Sequence, residues 1–122
     1  RRLFPGDQPD AAVHGISQVQ SGHEPYEVTV HPGPVMLPAL VDPDHPGVVS
    51  LSHAHQAVAG APPEHTHYRG TFDAGGLCSR GVPTVMYGAR GGDWPVGPDF
   101  VAIDDVLLEA ETLAGFVAGF LA

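Results

Sequence analysis

Cysteine and basic residues are scarce in this sequence, and each shortage excludes a class of structure or partner. The chain of 122 residues has one cysteine, Cys78, so it forms no internal disulfide, as is typical of proteins in a reducing cytosol. Its five Lys and Arg residues are outnumbered by fourteen Asp and Glu residues, and the formal net charge is −9. Binding to phosphate backbones or anionic membranes needs clustered basic side chains, which this sequence lacks. We therefore expect a cytoplasmic protein that binds neither nucleic acid nor a membrane.

Long apolar runs are also absent. The most apolar stretch, Leu113 to Ala122, has ten residues, whereas a membrane-spanning helix needs ~20. Gly115 and Gly119 within it indicate close helix packing rather than a membrane dimer motif. The sequence opens with neither Met nor a signal peptide, so it is either processed or, as we expect, a piece of a longer chain.

Glycine and proline are abundant, with 16 and 13 residues, and they divide the chain into short elements. A helix is predicted over Asp7–Gly22, which opens with a capping aspartate and an early proline. A second is predicted over Pro46–Ala59, because Gly60 and two prolines follow it. Alternating or apolar segments predict three strands, at Tyr26–His31, His65–Tyr68 and Val82–Tyr87. The apolar segment Val35–Val41 contains a proline and is predicted to be irregular.

The last predicted helix starts at Asp104, which we expect to cap it. Apolar residues recur on one side of this helix at spacings of three and four, which predicts a buried stripe of Val106, Ala110, Leu113, Val117 and Phe120.

The segment around Val82–Tyr87 determines the predicted fold class. This run is apolar, rich in β-branched residues and bounded by glycines, which is typical of a strand buried on both faces of a parallel sheet. Asp73 can cap a short helix, Ala74–Ser79, ahead of it. The glycines at 88, 91 and 92 form a loop at the carboxyl end of the strand, where open sheets bind ligands. We therefore predict an α/β fold, with a small α+β unit followed by the edge of a helix-flanked sheet.

Four short phrases carry a family resemblance. Gly70–Gly75 followed by Arg80–Gly88 reads Gly-Thr-Phe-Asp-Ala-Gly, then Arg-Gly-Val-Pro-Thr-Val-Met-Tyr-Gly. This two-part phrase is one of four. Along the chain they follow the order Arg1–Asp7, Asp42–Pro46, Gly70–Gly88 and Val101–Asp105, and together they resemble a family of dinuclear zinc hydrolases. The family includes acetylornithine deacetylase, succinyl-diaminopimelate desuccinylase, aminoacylase and carboxypeptidase G. The resemblance spans nearly the whole chain but only the carboxy-terminal part of a family member.

The resemblance implies both an architecture and an activity. Residues 1–42 would be the second half of a lid or dimerisation domain, and residues 43–122 the carboxy-terminal segment of the catalytic domain. It also implies a zinc cofactor, a homodimer and a small N-acyl amino acid or peptide substrate, whose amide bond next to a carboxylate is hydrolysed.

The same resemblance supplies three candidate substrate-binding residues. Arg2 matches a lid arginine that holds a substrate carboxylate in several relatives, a task that suits a guanidinium fork. Asp73 matches the Asp of the family's Thr-Asp-Ala. Gly75 stands where relatives often carry a polar residue or Arg, and Arg69 could compensate for it. The alternatives are a solvated terminal arginine for Arg2 and a helix cap for Asp73.

No catalytic residue and no metal ligand is predicted within the chain. The family's carboxy-terminal metal histidine lies in a phrase that resembles Trp94–Val101, but Pro95 or Val96 occupies its place here. Neither side chain can bind zinc.

The eight histidines are a second source of possible metal ligands. His53 and His55 are two apart on a predicted helix, so they point in different directions, with His55 packed and His53 facing water. His65 and His67 would share one face of a strand, but two nitrogens make only a weak zinc site. We therefore keep a third hypothesis, a histidine metal binder that is unrelated to the zinc hydrolases, behind the two that follow.

The sequence supports two stronger hypotheses. The first is the carboxy-terminal portion of a metal-dependent amidohydrolase of the metallopeptidase or N-acyl amino acid deacylase type, inactive on its own. The second is a non-catalytic remnant that acts as a binding or dimerising module.

Overall fold

Four helices form in the part of the chain that the computed structural model describes, which is residues 3–20, 29–67, 70, 72–89, 91–92 and 97–122. They are α1 (Pro9–Gln20), α2 (Pro46–Ala59), α3 (Ala74–Cys78) and α4 (Ile103–Phe120). The chain divides into two compact units. Unit 1 comprises Arg1–Leu40 and Gly70–Thr84, and unit 2 comprises Val41–Arg69 and Val85–Ala122. The assignment of residues 1–42 and 43–122 to a lid and a catalytic domain stays a prediction.

Helix α2 has the bounds that the sequence predicts. Pro46 lies at its first turn, where a missing N–H costs nothing. Gly60 follows its last residue with φ 77°, in the left-handed region that favours glycine, and its N–H donates to the Gln56 carbonyl at 2.9 Å. The prediction is confirmed because both signals act locally.

Helices α1 and α3 belong to unit 1. Helix α1 begins at Pro9, two residues after the predicted capping residue Asp7, and its predicted end at Gly22 lies outside the described residues. Helix α3 ends one residue earlier than predicted and is closed by a turn in which the Val82 N–H donates to the Leu77 carbonyl at 3.1 Å. Gly81 in this turn has φ 78°, so the turn requires a residue without a side chain.

The predicted α/β fold is wrong. In the described part of the chain no strand or sheet forms, and strand-type pairing is limited to an isolated antiparallel bridge between Gly91 and Val101. Val82–Tyr87 is extended, but Val85 and Met86 are 45% and 58% exposed, whereas a central strand buries both faces. An apolar run becomes a strand only when another segment pairs with its backbone, and the described residues supply no such partner.

The described parts of the other two predicted strands also form no strand. Within Tyr26–His31, residues 29–31 form no strand and the rest lie outside the described residues. Within His65–Tyr68, residues 65–67 are extended and exposed, and Tyr68 lies outside. The molecule is therefore mostly helical in the part that is described.

Helix α4 packs against α2, but not through the predicted stripe. Val117 and Phe120 are 50% and 66% exposed. The side that is covered carries the fully buried Thr112, with half-buried residues one or two turns from it: Asp105, Leu108, Glu109 and Phe116. The stripe was predicted from hydrophobicity alone, and α4 is apolar on more than one side, so that pattern did not select the packed face.

The start of α4 also differs from the prediction. Its N-cap is Ala102 rather than Asp104, and Ala102 has no side-chain oxygen with which to cap. Asp104 and Asp105 instead lie in the first turn, where their charges favour the positive end of the helix dipole. Among the described helices, none combines the length and the apolar character needed to cross a membrane.

Candidate functional site

Asp73, the candidate substrate contact that the structure describes, stands exposed immediately before α3. Its backbone has helical angles, and its side chain makes no hydrogen bond to the helix. The cap that competed with substrate binding as an explanation of Asp73 is therefore not formed. Its proposed contact with substrate stays a prediction, and Arg2 and Arg69 lie outside the described residues.

Helix α3 is held against another segment of unit 1 through Gly75. This glycine is buried, and a Cβ placed on it would overlap the Leu37 carbonyl group. The absence of a side chain at Gly75, which departs from the family's pattern, thus has a packing reason. Asp73 stands two residues before this contact, so the contact fixes the backbone that carries its carboxylate.

The carbonyl end of α3 is bound by the side chains of two residues that follow it. Arg80 Nη1 and Ser79 Oγ both donate to the Gly76 carbonyl, at 2.8 and 2.9 Å. Cys78 Sγ lies 3.6 Å from the Thr84 carbonyl oxygen. These groups stabilise the carbonyl end of a short helix, where a cation is favourable.

A second candidate region is the Tyr87–Ala89 segment of unit 2, which is held by one contact from each long helix. From α2, His55 Nδ1 lies 2.7 Å from the Tyr87 hydroxyl oxygen, and the two rings meet edge to face at 5.7 Å between centroids. From α4, Glu109 Oε2 accepts a hydrogen bond from the Ala89 N–H at 3.1 Å. The carboxylate lies 3.7 Å from the point where a Cβ on Gly88 would stand. The start of the predicted ligand-binding loop is therefore tied to both helices by polar groups.

The histidine predictions for α2 are confirmed, since His55 is half-buried and His53 is exposed. Helical geometry was sufficient to separate them. The partner of His55 was not predicted. The signal that could have found it is Tyr87 itself, because a half-buried tyrosine at the end of an apolar run needs a partner for its hydroxyl.

The two glycines at 91 and 92 close the loop onto the segment before α4. The Gly92 N–H donates to the Phe100 carbonyl at 2.9 Å. A Cβ on Gly92 would meet the Pro98 carbonyl and would lie 2.6 Å from the Phe100 ring. Only glycine allows this close approach.

A groove of about 290 Å³ lies in unit 2, beside the first half of α2. Its polar residues include His53, His65 and Ser52, and Ser52 Oγ lies 3.4 Å from His65 Nε2. The structure thus places His65 in one groove with a histidine of α2, a pairing that sequence spacing did not predict. The remaining lining residues are Pro43, Asp44, Val49, Pro62 and Pro63.

The described residues do not fit a zinc site. No group of three or more His, Cys, Asp or Glu side chains among them is placed to hold a metal ion. A catalytic zinc ion takes three protein ligands and leaves one position open.

Part of the chain is similar to a hydrolase of defined chemistry. It is 43% identical over 54 residues to the N-formyl-4-amino-5-aminomethyl-2-methylpyrimidine deformylase of Bacillus subtilis (strain 168). The matched stretch makes up 43% of this chain but 13% of the deformylase, so the chain spans a small part of that protein's length. No protein-family model matches the chain. No solved structure matches it either.

The similarity supports a coarse statement only: the chain shares a stretch with a protein that bears a hydrolase-type name.

Proposed function

We propose that this chain is the carboxy-terminal portion of an amidohydrolase that removes an acyl group from nitrogen. The observation that carries the proposal is the 43% identity with a deformylase. A deformylase, by its name, cleaves the C–N bond of a formamide. That is the reaction class implied by the phrases Gly70–Gly75 and Arg80–Gly88.

In this reaction water adds to the acyl carbon, the C–N bond breaks and the nitrogen leaves with a proton, which gives an amine and a carboxylic acid. Within this chain, the residues offered for the reaction bind and orient the substrate. Asp73 presents an exposed carboxylate that suits an amino group, such as those of the aminopyrimidine in the name of the relative. Arg2 would instead suit the carboxylate of an N-acyl amino acid.

The family resemblance implies zinc, but the described residues do not supply its ligands. We therefore expect the 122-residue chain to release no acid from N-formyl or N-acetyl substrates by itself. Zinc-dependent release by the isolated chain, abolished by a chelator and absent from a mock preparation, would contradict this expectation.

The alternative function, a non-catalytic binding or dimerising module, is favoured by one feature of the sequence. Pro95 or Val96 stands where the family has its last metal histidine. A coding segment upstream that contains the family's His-x-Asp and Glu-Glu phrases would favour the amidohydrolase, and its absence would favour the module.

A chimera separates the two functions more directly. The aligned 54-residue stretch of the Bacillus subtilis deformylase is replaced by its counterpart from this chain, and formate release is measured. We expect the chimera to release formate, whereas a control with a shuffled stretch does not. A chimera that is folded by circular dichroism yet releases no formate would favour the non-catalytic module.

A further inference from the structure

The N-cap of α2 is a histidine that accepts a hydrogen bond. His45 Nδ1 accepts from the Gly47 N–H at 3.1 Å, and the His45 carbonyl accepts from the Val48 and Val49 N–H groups at 2.8 and 3.0 Å. Helices usually begin with Ser, Thr, Asp or Asn, whose oxygens accept at any pH near neutrality. An imidazole accepts only while one ring nitrogen carries no proton.

This requirement fixes the state of the ring. Since Nδ1 accepts, the single proton of neutral His45 is on Nε2. A second proton occupies Nδ1, removes the acceptor and places a positive charge at the positive end of the helix. The cap therefore exists in the neutral form of His45 and not in the charged form.

Apart from Pro46, which suits the first position, and the hydrogen bonds to His45, no charged group stabilises the first turn of α2, because no acidic residue lies in it. Gly47 leaves room for the ring, because a Cβ there would stand 3.3 Å from His45 Nδ1. We infer that His45 makes the first turn of α2 sensitive to pH, formed when the imidazole is neutral and loosened when it is charged.

The charged groups nearby do not replace the lost acceptor. Asp42 shares the turn: its carbonyl accepts from the His45 N–H, and its carboxylate accepts from the Asp44 N–H, both at 2.9 Å. Neither the Asp42 nor the Asp44 carboxylate gives the Gly47 N–H a partner, which is His45 Nδ1. The other titratable groups on the elements packed here are His53 and His65 of the groove and the half-buried Asp105 and Glu109 of α4. Glu109 is engaged by the Ala89 N–H.

The sign of the effect follows from the acceptor. The stabilisation is present when His45 is neutral and is lost when acidification protonates the imidazole. Val49 and His53, on the first two turns of α2, line the groove, so loosening these turns alters the groove as well.

The test is the thermal unfolding of the full chain at pH 7.5 and 5.5, with His45→Asn and His45→Asp as variants whose caps persist at both pH values. On acidification we expect the wild-type Tm to fall about 3–6 °C further than that of either variant. The control His53→Asn removes an exposed histidine that has no capping role, and we expect it to behave like the wild type. Equal Tm changes in the wild type and both His45 variants would overturn the inference.

A local measurement is independent of global unfolding. In an ¹H–¹⁵N NMR titration, the Gly47 amide signal of the wild type should shift with the same midpoint as the His45 ring, and should not shift in His45→Asn. A Gly47 amide shift that stays constant while the His45 ring is protonated would equally overturn the inference.

Discussion

His55 and Tyr87 are joined by a 2.7 Å contact between the imidazole Nδ1 and the phenol oxygen, across 32 residues of sequence. The ring contact is edge to face, with an angle of 78° between the ring planes. The pair therefore combines a hydrogen bond with an aromatic contact, and each can be removed separately.

We expect Tyr87→Phe to lower the free energy of unfolding by about 1 kcal/mol, because it removes one hydrogen bond and leaves the half-buried Nδ1 of His55 without its partner. His55→Phe should cost a similar amount. The measurement is a double-mutant cycle in urea, in which a coupling of about 0.5–1.5 kcal/mol is expected. A coupling of zero would show that the contact contributes nothing to stability.

Thr112 is fully buried in α4, and its hydroxyl finds no hydrogen-bond partner among the described residues. An unsatisfied buried hydroxyl costs about 1–3 kcal/mol, and valine has nearly the same shape. Thr112→Val is therefore expected to raise the free energy of unfolding by about 1 kcal/mol or more. The matched control, Thr112→Ser, keeps the hydroxyl and loses a methyl group, so it should lower stability by about 0.8 kcal/mol. A destabilising Thr112→Val would show that the hydroxyl is hydrogen-bonded in solution.

Gly75 and Gly76 are neighbours in α3 that should respond in opposite directions to the same substitution. Gly75→Ala brings a methyl group into the Leu37 carbonyl, and overpacking of this kind costs about 1–3 kcal/mol. A Cβ on Gly76 meets only Arg80 Nη1 at 3.8 Å, so Gly76→Ala should stabilise by about 0.5–1 kcal/mol through helix propensity. Urea unfolding of both variants measures the difference. Equal effects at the two positions would contradict the close approach of Leu37.

The open side of α4 predicts self-association. Leu107 is 56% exposed, and Leu113, Val117 and Phe120 are also accessible. Exposed apolar side chains of this kind favour contact with a second copy. A homodimer is also what the family resemblance implies, and it stays a prediction. We expect sedimentation at micromolar concentration to show dimers or larger species. The double variant Leu107→Lys with Val117→Lys should be more monomeric, whereas Glu111→Gln, an exposed change on the same helix, should not. A wild type that remains strictly monomeric would contradict this prediction.

The sequence predicted the helices better than the strands, for a physical reason. Helix α2 begins at a proline and ends at a left-handed glycine, and both signals depend on residues within a few positions of the helix end. A strand at Val82–Tyr87 would instead need a partner from elsewhere in the chain, and its apolar character cannot tell whether that partner exists. The prediction of the packed face of α4 was wrong for a related reason, because a helix that is apolar on several sides does not indicate which side meets α2.

The candidate site was predictable to a similar degree. Helical spacing separated His53 from His55, but neither spacing nor composition could bring His55 to Tyr87 or His65 to Ser52, since these contacts depend on how distant segments fold together. The substrate roles of Arg2, Asp73 and Arg69 rest on the family resemblance and stay predictions. The structure adds most to the sequence at Gly75. The family resemblance marked a missing side chain there, and the close packing of α3 explains it.

The crowding around Gly92 has a consequence for how related sequences can diverge. Its backbone N–H and the space of its missing side chain are both taken by the segment that ends at Phe100. A side chain at position 92 meets the Pro98 carbonyl as well as the Phe100 ring, so a smaller residue at position 100 does not by itself make room for it. Related sequences should therefore keep glycine at position 92 even where position 100 varies.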